Sequence, residues 1–198
     1  MISFLHGIMT EKQPTRVELD VGGVGYEVLI PLSSYDKLPG VGENCRLRIC
    51  EQIREDAHVL FGFASEAERA MFKLLVAASG VGPKLALSAL SGLSVRDLKQ
   101  AIVEGDVPRL SSVSGIGKKV AERISVELRD KVGRSEALEA LAGSAAAGPN
   151  DIKLRDAAMA LIALGYKQNA ARKMVEDAMR GRDIGGASVE EIIKMALT

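Results

Sequence analysis

Two near-copies of one short segment, Ser79-Gly80-Val81-Gly82-Pro83-Lys84 and Ser114-Gly115-Ile116-Gly117-Lys118-Lys119, lie 35 residues apart, each between stretches of helical periodicity. A chain carrying them is constrained to fold there as helix, tight turn and helix, twice over. The glycines permit the turn without a Cβ clash and leave backbone N–H groups exposed at the start of the next helix. Those amides, the partial positive charge of the helix N-terminus, and the nearby Lys84, Lys118 and Lys119 together suit a phosphate.

A lone Gly-x-Gly between helices is also what a glycine C-cap followed by a new helix produces. The duplication argues for more than two accidental caps, because the same offset matches Leu75 with Leu110, Lys84 with Lys119, Leu85 with Val120 and Ala86 with Ala121. The pair resembles the tandem helix-hairpin-helix of non-sequence-specific DNA-binding proteins, in which two hairpins grip phosphates across the minor groove. That resemblance makes Gly80, Val81, Gly82, Lys84, Gly115, Ile116, Gly117, Lys118 and Lys119 the candidate phosphate-binding residues. Neither hairpin carries side chains suited to reading base edges, so specificity is expected from nucleic-acid shape.

Formal net charge is zero, with 26 basic and 26 acidic residues, which at first argues against a DNA partner. The distribution answers this: the balance is −3 over 1–63, +3 over 64–133 and 0 over 134–198, so the basic excess lies with the hairpins. The field is modest, and binding is expected to need several hairpin pairs acting together in an oligomer. No apolar run approaches the roughly 18 residues of a membrane span, and Met1 to Gly7 lacks the pattern of a secretory signal. A cytoplasmic location is the expectation. Cys45 and Cys50 are the only cysteines and there are two histidines. The odd spacing on a strand puts the thiols on opposite faces, as reduced core residues; neither a metal nor a cofactor is expected.

The expected fold is α+β and multidomain. Residues 1–63 alternate as strands over 2–9, 16–21, 25–30, 45–53 and 58–63, punctuated by Gln13-Pro14, Gly22-Gly23 and Pro39-Gly40. Five strands with a short helical insert near 33–38 suggest an OB-type β-barrel, with a generic five-strand domain as the alternative. Residues 64–133 form the all-α tandem hairpin domain, opened by the Ser65-x-x-Glu68 capping box, with a connecting helix from Ser94 to Glu104 and a final helix to about Lys131. Residues 134–150, rich in Ala and Gly, read as a flexible linker. Residues 151–198 read as a three-helix bundle with helices over 151–164, 168–180 and 188–197, in which Leu164-Gly165-Tyr166 resembles the loop of ubiquitin-associated-type domains.

Barrel, tandem hairpins, linker and small bundle, in that order, resemble the RuvA family of Holliday-junction-recognition subunits over the whole chain. The resemblance rests on Val21-Gly22-Gly23-Val24-Gly25-Tyr26, Arg54-Glu55-Asp56-Ala57, Leu60-Phe61-Gly62-Phe63, and the two hairpin segments together. His6 departs from the arginine expected there in many relatives. The resemblance implies a homotetramer, or two paired as an octamer, that holds four-way junction DNA open for recombination and repair. It further implies that Glu55 and Asp56 form an acidic pin at the centre, that residues 151–198 contact the RuvB ATPase, and that the RuvC resolvase shares the complex. Carboxylates beside phosphates are repulsive, which fits a pin that disfavours continuous duplex, although the same residues read alone are an ordinary polar turn.

Catalytic readings find little support. Gly-x-x-x-x-Gly-Lys-[Ser/Thr] is absent, since Ser112 stands five before Gly117 and Lys119 follows Lys118, so no catalytic residue is assigned and the motor must be another protein. A base-excision glycosylase would need an acid such as Asp130, but that residue sits between Arg129 and Lys131 at a charged helix end. A nuclease needs clustered carboxylates for metal, and Glu55-Asp56 is a single pair. The remaining alternative is a helix-hairpin-helix scaffold without junction specificity.

Overall fold

In the computed structural model the backbone is described for residues 1–55, 57–142, 149–166, 168–180 and 187–197, with side chains in those ranges except at 134–142, 149–152, 155, 168, 169 and 172. The chain divides into two units, Met1–Val132 and Gly133–Thr198.

Five strands open the first unit: β1 (Phe4–Gln13), β2 (Arg16–Val21), β3 (Val24–Leu29), β4 (Asn44–Ile53) and β5 (His58–Phe63), with the one-turn helix α1 (Leu32–Tyr35) between β3 and β4. They close into a barrel in the order β1-β2-β3-β5-β4, where β3 and β5 are the parallel pair. This is the OB-type barrel expected from the alternation. Gly22 and Gly23 turn β2 into β3 with φ of 66° and 89°, the two positive values of a type I′ hairpin, and the Gly23 amide donates to Asp20 Oδ1 at 2.6 Å. Strand β1 extends past the expected end at 9. Its register with β2 shifts between Met9 and Glu11, and this irregularity interrupts the alternation by which a strand is read from sequence.

Two cores share strand β5. Leu5, Met9, Leu19, Leu47, Ile49 and Leu60 are among the residues that fill the barrel, whereas Phe61 and Phe63 join the helical core and flank Phe72 with ring centroids 5.0 Å away in each case. The cysteines divide the same way, as their spacing predicts: Cys45 lies in the barrel core and Cys50 packs against the helical one. Gly62 points into the barrel, where a Cβ would lie 2.5 Å from Val28 Cγ1.

Five helices follow: α2 (Glu66–Val76), α3 (Pro83–Gly92), α4 (Val95–Glu104), α5 (Val107–Ser111) and α6 (Lys118–Ala142). The capping box at α2 does more than end a helix. Glu68, 1% exposed, accepts from Ser65 N at 3.1 Å and also from Ser33 Oγ at 2.8 Å, Ser34 Oγ at 3.2 Å and Lys37 Nζ at 3.0 Å, tying the barrel insert to the helical region. Burial pushes its carboxyl up, but the bonds from Ser33, Lys37 and Ser65 outweigh this and hold it below the ordinary range. Helix α6 continues beyond the expected end near Lys131 to Ala142. Arg134-Ser135-Glu136-Ala137-Leu138-Glu139-Ala140-Leu141-Ala142 consists almost wholly of good helix formers, so the expected linker begins in helix. Its remainder at 143–148 lies outside the described residues.

In the second unit, α7 (Pro149–Ala163), α8 (Gln168–Met179) and α9 (Val189–Ala196) pack around Ala157, Leu161, Ala171, Val175 and Ile192, the expected three-helix bundle. Gly165, at φ +100°, ends α7: its amide donates to Ile162 O at 3.0 Å and that of Tyr166 to Leu161 O at 3.1 Å, a Schellman cap. Ser188 and Glu191 form the capping box of α9.

Candidate nucleic-acid interface

The two hairpins repeat at the level of single hydrogen bonds. The Val81 amide donates to Ala78 O at 3.1 Å and the Ala86 amide to Gly82 O at 3.0 Å; 35 residues on, Ile116 donates to Val113 O and Ala121 to Gly117 O, both at 3.0 Å. Gly80 and Gly115 hold φ of 82° and 88°, a conformation that favours glycine. Gly82, extended at φ −81°, is the N-cap of α3, and Pro83 in the first turn lacks the N–H that would otherwise need a partner.

Val81 and Ile116 are 5% and 3% exposed, so their side chains anchor the turns in the core and their amides are already used within them. Gly80, Gly82, Lys84, Gly115, Gly117, Lys118 and Lys119 are all exposed. A Cβ on Gly82 or Gly117 would meet nothing within 4 Å, which leaves both turns open to a close-approaching ligand.

The structure adds two residues that the sequence reading missed. From α6, in the second hairpin, the Glu127 carboxylate accepts the Ser79 amide at 3.0 Å, and Arg123 Nη1 donates to Ser79 O at 3.2 Å. One helix of the second hairpin thus holds both the amide and the carbonyl of Ser79, the residue entering the first turn. The bond from the Ser79 amide is the chief reason the Glu127 carboxyl is held below its ordinary range. Arg123 is exposed beside Gly80, adding a cation to those found by spacing.

The β4–β5 turn of the barrel closes with the Arg54 amide donating to Ala57 O at 2.8 Å. Glu55 is exposed at this turn, and Asp56 lies outside the described residues. Arg54 and Ala57 line one cleft together with Gly82 and Lys84, so the turn bearing Glu55 and the first hairpin are neighbours. His6 is exposed on β1 opposite Arg46 of β4. Asp130, the acid considered for glycosylase chemistry, is exposed on α6. No group of three or more potential metal ligands occurs among the described residues, and no described helix is long and apolar enough to cross a membrane.

Fold and site define a protein with an OB-type barrel, tandem helix-hairpin-helix motifs and a small C-terminal bundle. Residues 1–62 match the RuvA N terminal domain, 72–130 the SAM-like helix-hairpin-helix tandem and 153–198 the RuvA C-terminal domain. The Holliday junction branch migration complex subunit RuvA of Syntrophotalea carbinolica is 48% identical over 197 residues, covering 100% of this chain and 98% of the relative. The proteins of the same name from Thioalkalivibrio sulfidiphilus and Trichlorobacter lovleyi are 42% and 43% identical, again over 100% of this chain and 98% of each relative. The chain belongs to the RuvA family.

Proposed function

We propose that this chain is the DNA-recognition subunit of a branch-migration complex, binding four-way junctions by structure rather than sequence. The observation that carries the reading is the hydrogen-bond-level repetition of two exposed glycine turns, the first followed at its helix start by Lys84 and the second by Lys118 and Lys119. Two such turns in one compact unit match two phosphates, and neither offers a base-reading side chain. The amides of Gly80, Gly82, Gly115 and Gly117, with Lys84, Lys118 and Lys119, hold the phosphates. Val81 and Ile116 shape the turns from within.

Four copies arranged as a homotetramer place four hairpin pairs on four arms, which supplies the avidity that a modest +3 balance over 64–133 lacks. Glu55 and Asp56 stand at the centre as the acidic pin. The chain itself does no ATP chemistry; residues 151–198 recruit the RuvB motor, with Leu164 and Tyr166, 64% and 41% exposed around the Gly165 cap, as the apolar contact. The RuvC resolvase joins the same assembly in the cytoplasm. The names of the relatives support the branch-migration context. A mobility-shift comparison of four-way and linear DNA of equal length at matched salt tests the reading: the junction should bind far more tightly, and equal affinity would leave only a scaffold role.

A further inference from the structure

We propose that the cleft between the β4–β5 turn and the first hairpin turn receives one unpaired nucleotide of a strand at the crossover. The inference rests on the junction-binding reading above. Moving a four-way junction by one step breaks two base pairs, one in each of two opposite arms, and makes two in the other arms, so nucleotides at the crossover are momentarily without their partners.

The cleft encloses about 370 Å³, within the range of small-ligand sites. Its walls match three features of a nucleotide: the face of the base, its edge and the phosphate. The floor is the outer face of the barrel, where Leu29 pairs with Phe61 across the parallel β3–β5 contact and Val59 lies two residues before Phe61 on the same face. Phe61 is almost fully buried, and the half-buried Leu29 and Val59 offer an apolar surface to the face of a base. Gln52, directly across from Val59, is half-buried at the same cleft, and among the described residues its side-chain amide has no hydrogen-bond partner. An amide carries both donor and acceptor, so it can meet the edge of any base without selecting one. That suits a complex through which every sequence must pass.

The third feature is the phosphate. Arg54 on one wall and Lys84 on the other are exposed cations, and Gly82, open around its Cα, adds the backbone of the proposed phosphate turn. An apolar floor between two cations complements an aromatic base attached to an anion. The cleft adjoins both the turn proposed to push strands apart and the turn proposed to hold them. Its occupant is therefore the nucleotide released between them.

The test uses the full chain and synthetic junctions carrying 2-aminopurine either at the crossover or in mid-arm. With the wild type, the crossover base should be bright, hence unstacked, and shielded from acrylamide, while the mid-arm base stays dim. Ala57→Leu narrows the exposed rim with little risk to folding, and Val59→Phe fills the floor. Both should abolish the bright, shielded signal and weaken junction binding about fivefold or more, the low end of one base contact, with duplex binding unchanged. A wild-type protein that binds junctions tightly but leaves the crossover base dim, or bright and freely quenched, overturns the site and leaves the junction reading standing. So does retention of the signal in folded Ala57→Leu. Absence of junction preference in the wild type would remove the reading and the site together.

Discussion

The Ser79 amide donates to the Glu127 carboxylate at 3.0 Å across 48 residues of chain, so the first hairpin turn is held by a helix of the second. An acidic side chain beside turns proposed to bind phosphate is unfavourable electrostatically unless it does structural work, and here it orients the turn. Glu127→Ala should therefore lower junction affinity several-fold despite removing a negative charge, with the circular dichroism spectrum unchanged. Glu127→Gln, which keeps a carbonyl acceptor for the Ser79 amide, should lose less. The carboxyl is held below its ordinary range by that amide, so the tie is fully present above that range and is lost as pH falls through the depressed value. The affinity gap between wild type and Glu127→Ala should close in the same acidic window; a gap wider in acid would refute the assignment.

The glycines of each turn divide by geometry, and substitutions should divide the same way. Gly82 and Gly117 have open space around a Cβ, whereas Gly80 and Gly115 have positive φ and a Cβ would lie 3.2 Å from Arg123 Nη1 and 3.0 Å from Leu85 Cδ1 respectively. Gly82→Leu and Gly117→Leu should reduce junction binding at unchanged melting temperature. Gly80→Ala and Gly115→Ala should also destabilise the fold by about 1–2 kcal/mol, the cost of a left-handed non-glycine residue. Neutralising Lys118 and Lys119 should flatten the salt dependence, changing the log-log slope by roughly 0.9 per lost phosphate contact. An unchanged slope would count against phosphate binding by these lysines.

Glu68 makes a separate prediction about stability. Glu68→Ala leaves Ser33, Ser34 and Ser65 without their common acceptor in a buried setting and should cost about 2–4 kcal/mol, read by denaturant unfolding. The native carboxyl lies below its ordinary range, so the wild type keeps this contribution above that range and loses it as pH falls through the native value. The mutant should show a flatter stability profile over that acidic interval.

What could be read from the chain depended on how local the determining interaction is. The Gly22-Gly23 turn, the opposite faces of Cys45 and Cys50, the Ser65–Glu68 capping box and the hairpin repeat are set by neighbours a few residues apart, and each is present. Glu68 was legible as a cap but not as a buried hub, because Ser33 and Lys37 reach it from 35 and 31 residues away. Glu127 and Arg123 carried no signal of their role, since only the packing of the two hairpins brings Ser79 to them. The inward side chains of Val81 and Ile116 could have been recognised, because an apolar residue at the same point in both copies is a core signature. The strand β1 extension was masked by its bulge, and the α6 extension by reading alanine and glycine content over 134–150 as one segment.

Separating the last domain should separate binding from recruitment. A chain ending at Ala142, the end of α6, should bind four-way junctions like the full protein but fail to stimulate branch migration by the RuvB motor. In the full chain, Leu164→Asp with Tyr166→Ser should give the same loss of stimulation, because both side chains are exposed outside the bundle core. Full stimulation by the truncated chain would rule out a recruiting role for 151–198.

Glu55 is exposed at the turn that shares a cleft with Gly82 and Lys84, and Asp56 follows it in the sequence. A carboxylate pair near the path of phosphates raises the energy of continuous duplex crossing the centre more than that of a junction whose strands part there. Glu55→Lys with Asp56→Lys reverses the sign of this effect. Affinity for linear duplex should then rise more than affinity for the junction, because the deterrent has become an attraction and each new phosphate contact adds to the salt dependence. The measurement is the ratio of junction to duplex dissociation constants at matched salt, taken for the wild type and the double variant. A variant with tighter duplex binding and a reduced junction preference would locate the discrimination in charge repulsion at this turn. A preference that is unchanged or larger would place it instead in the geometry of the hairpins.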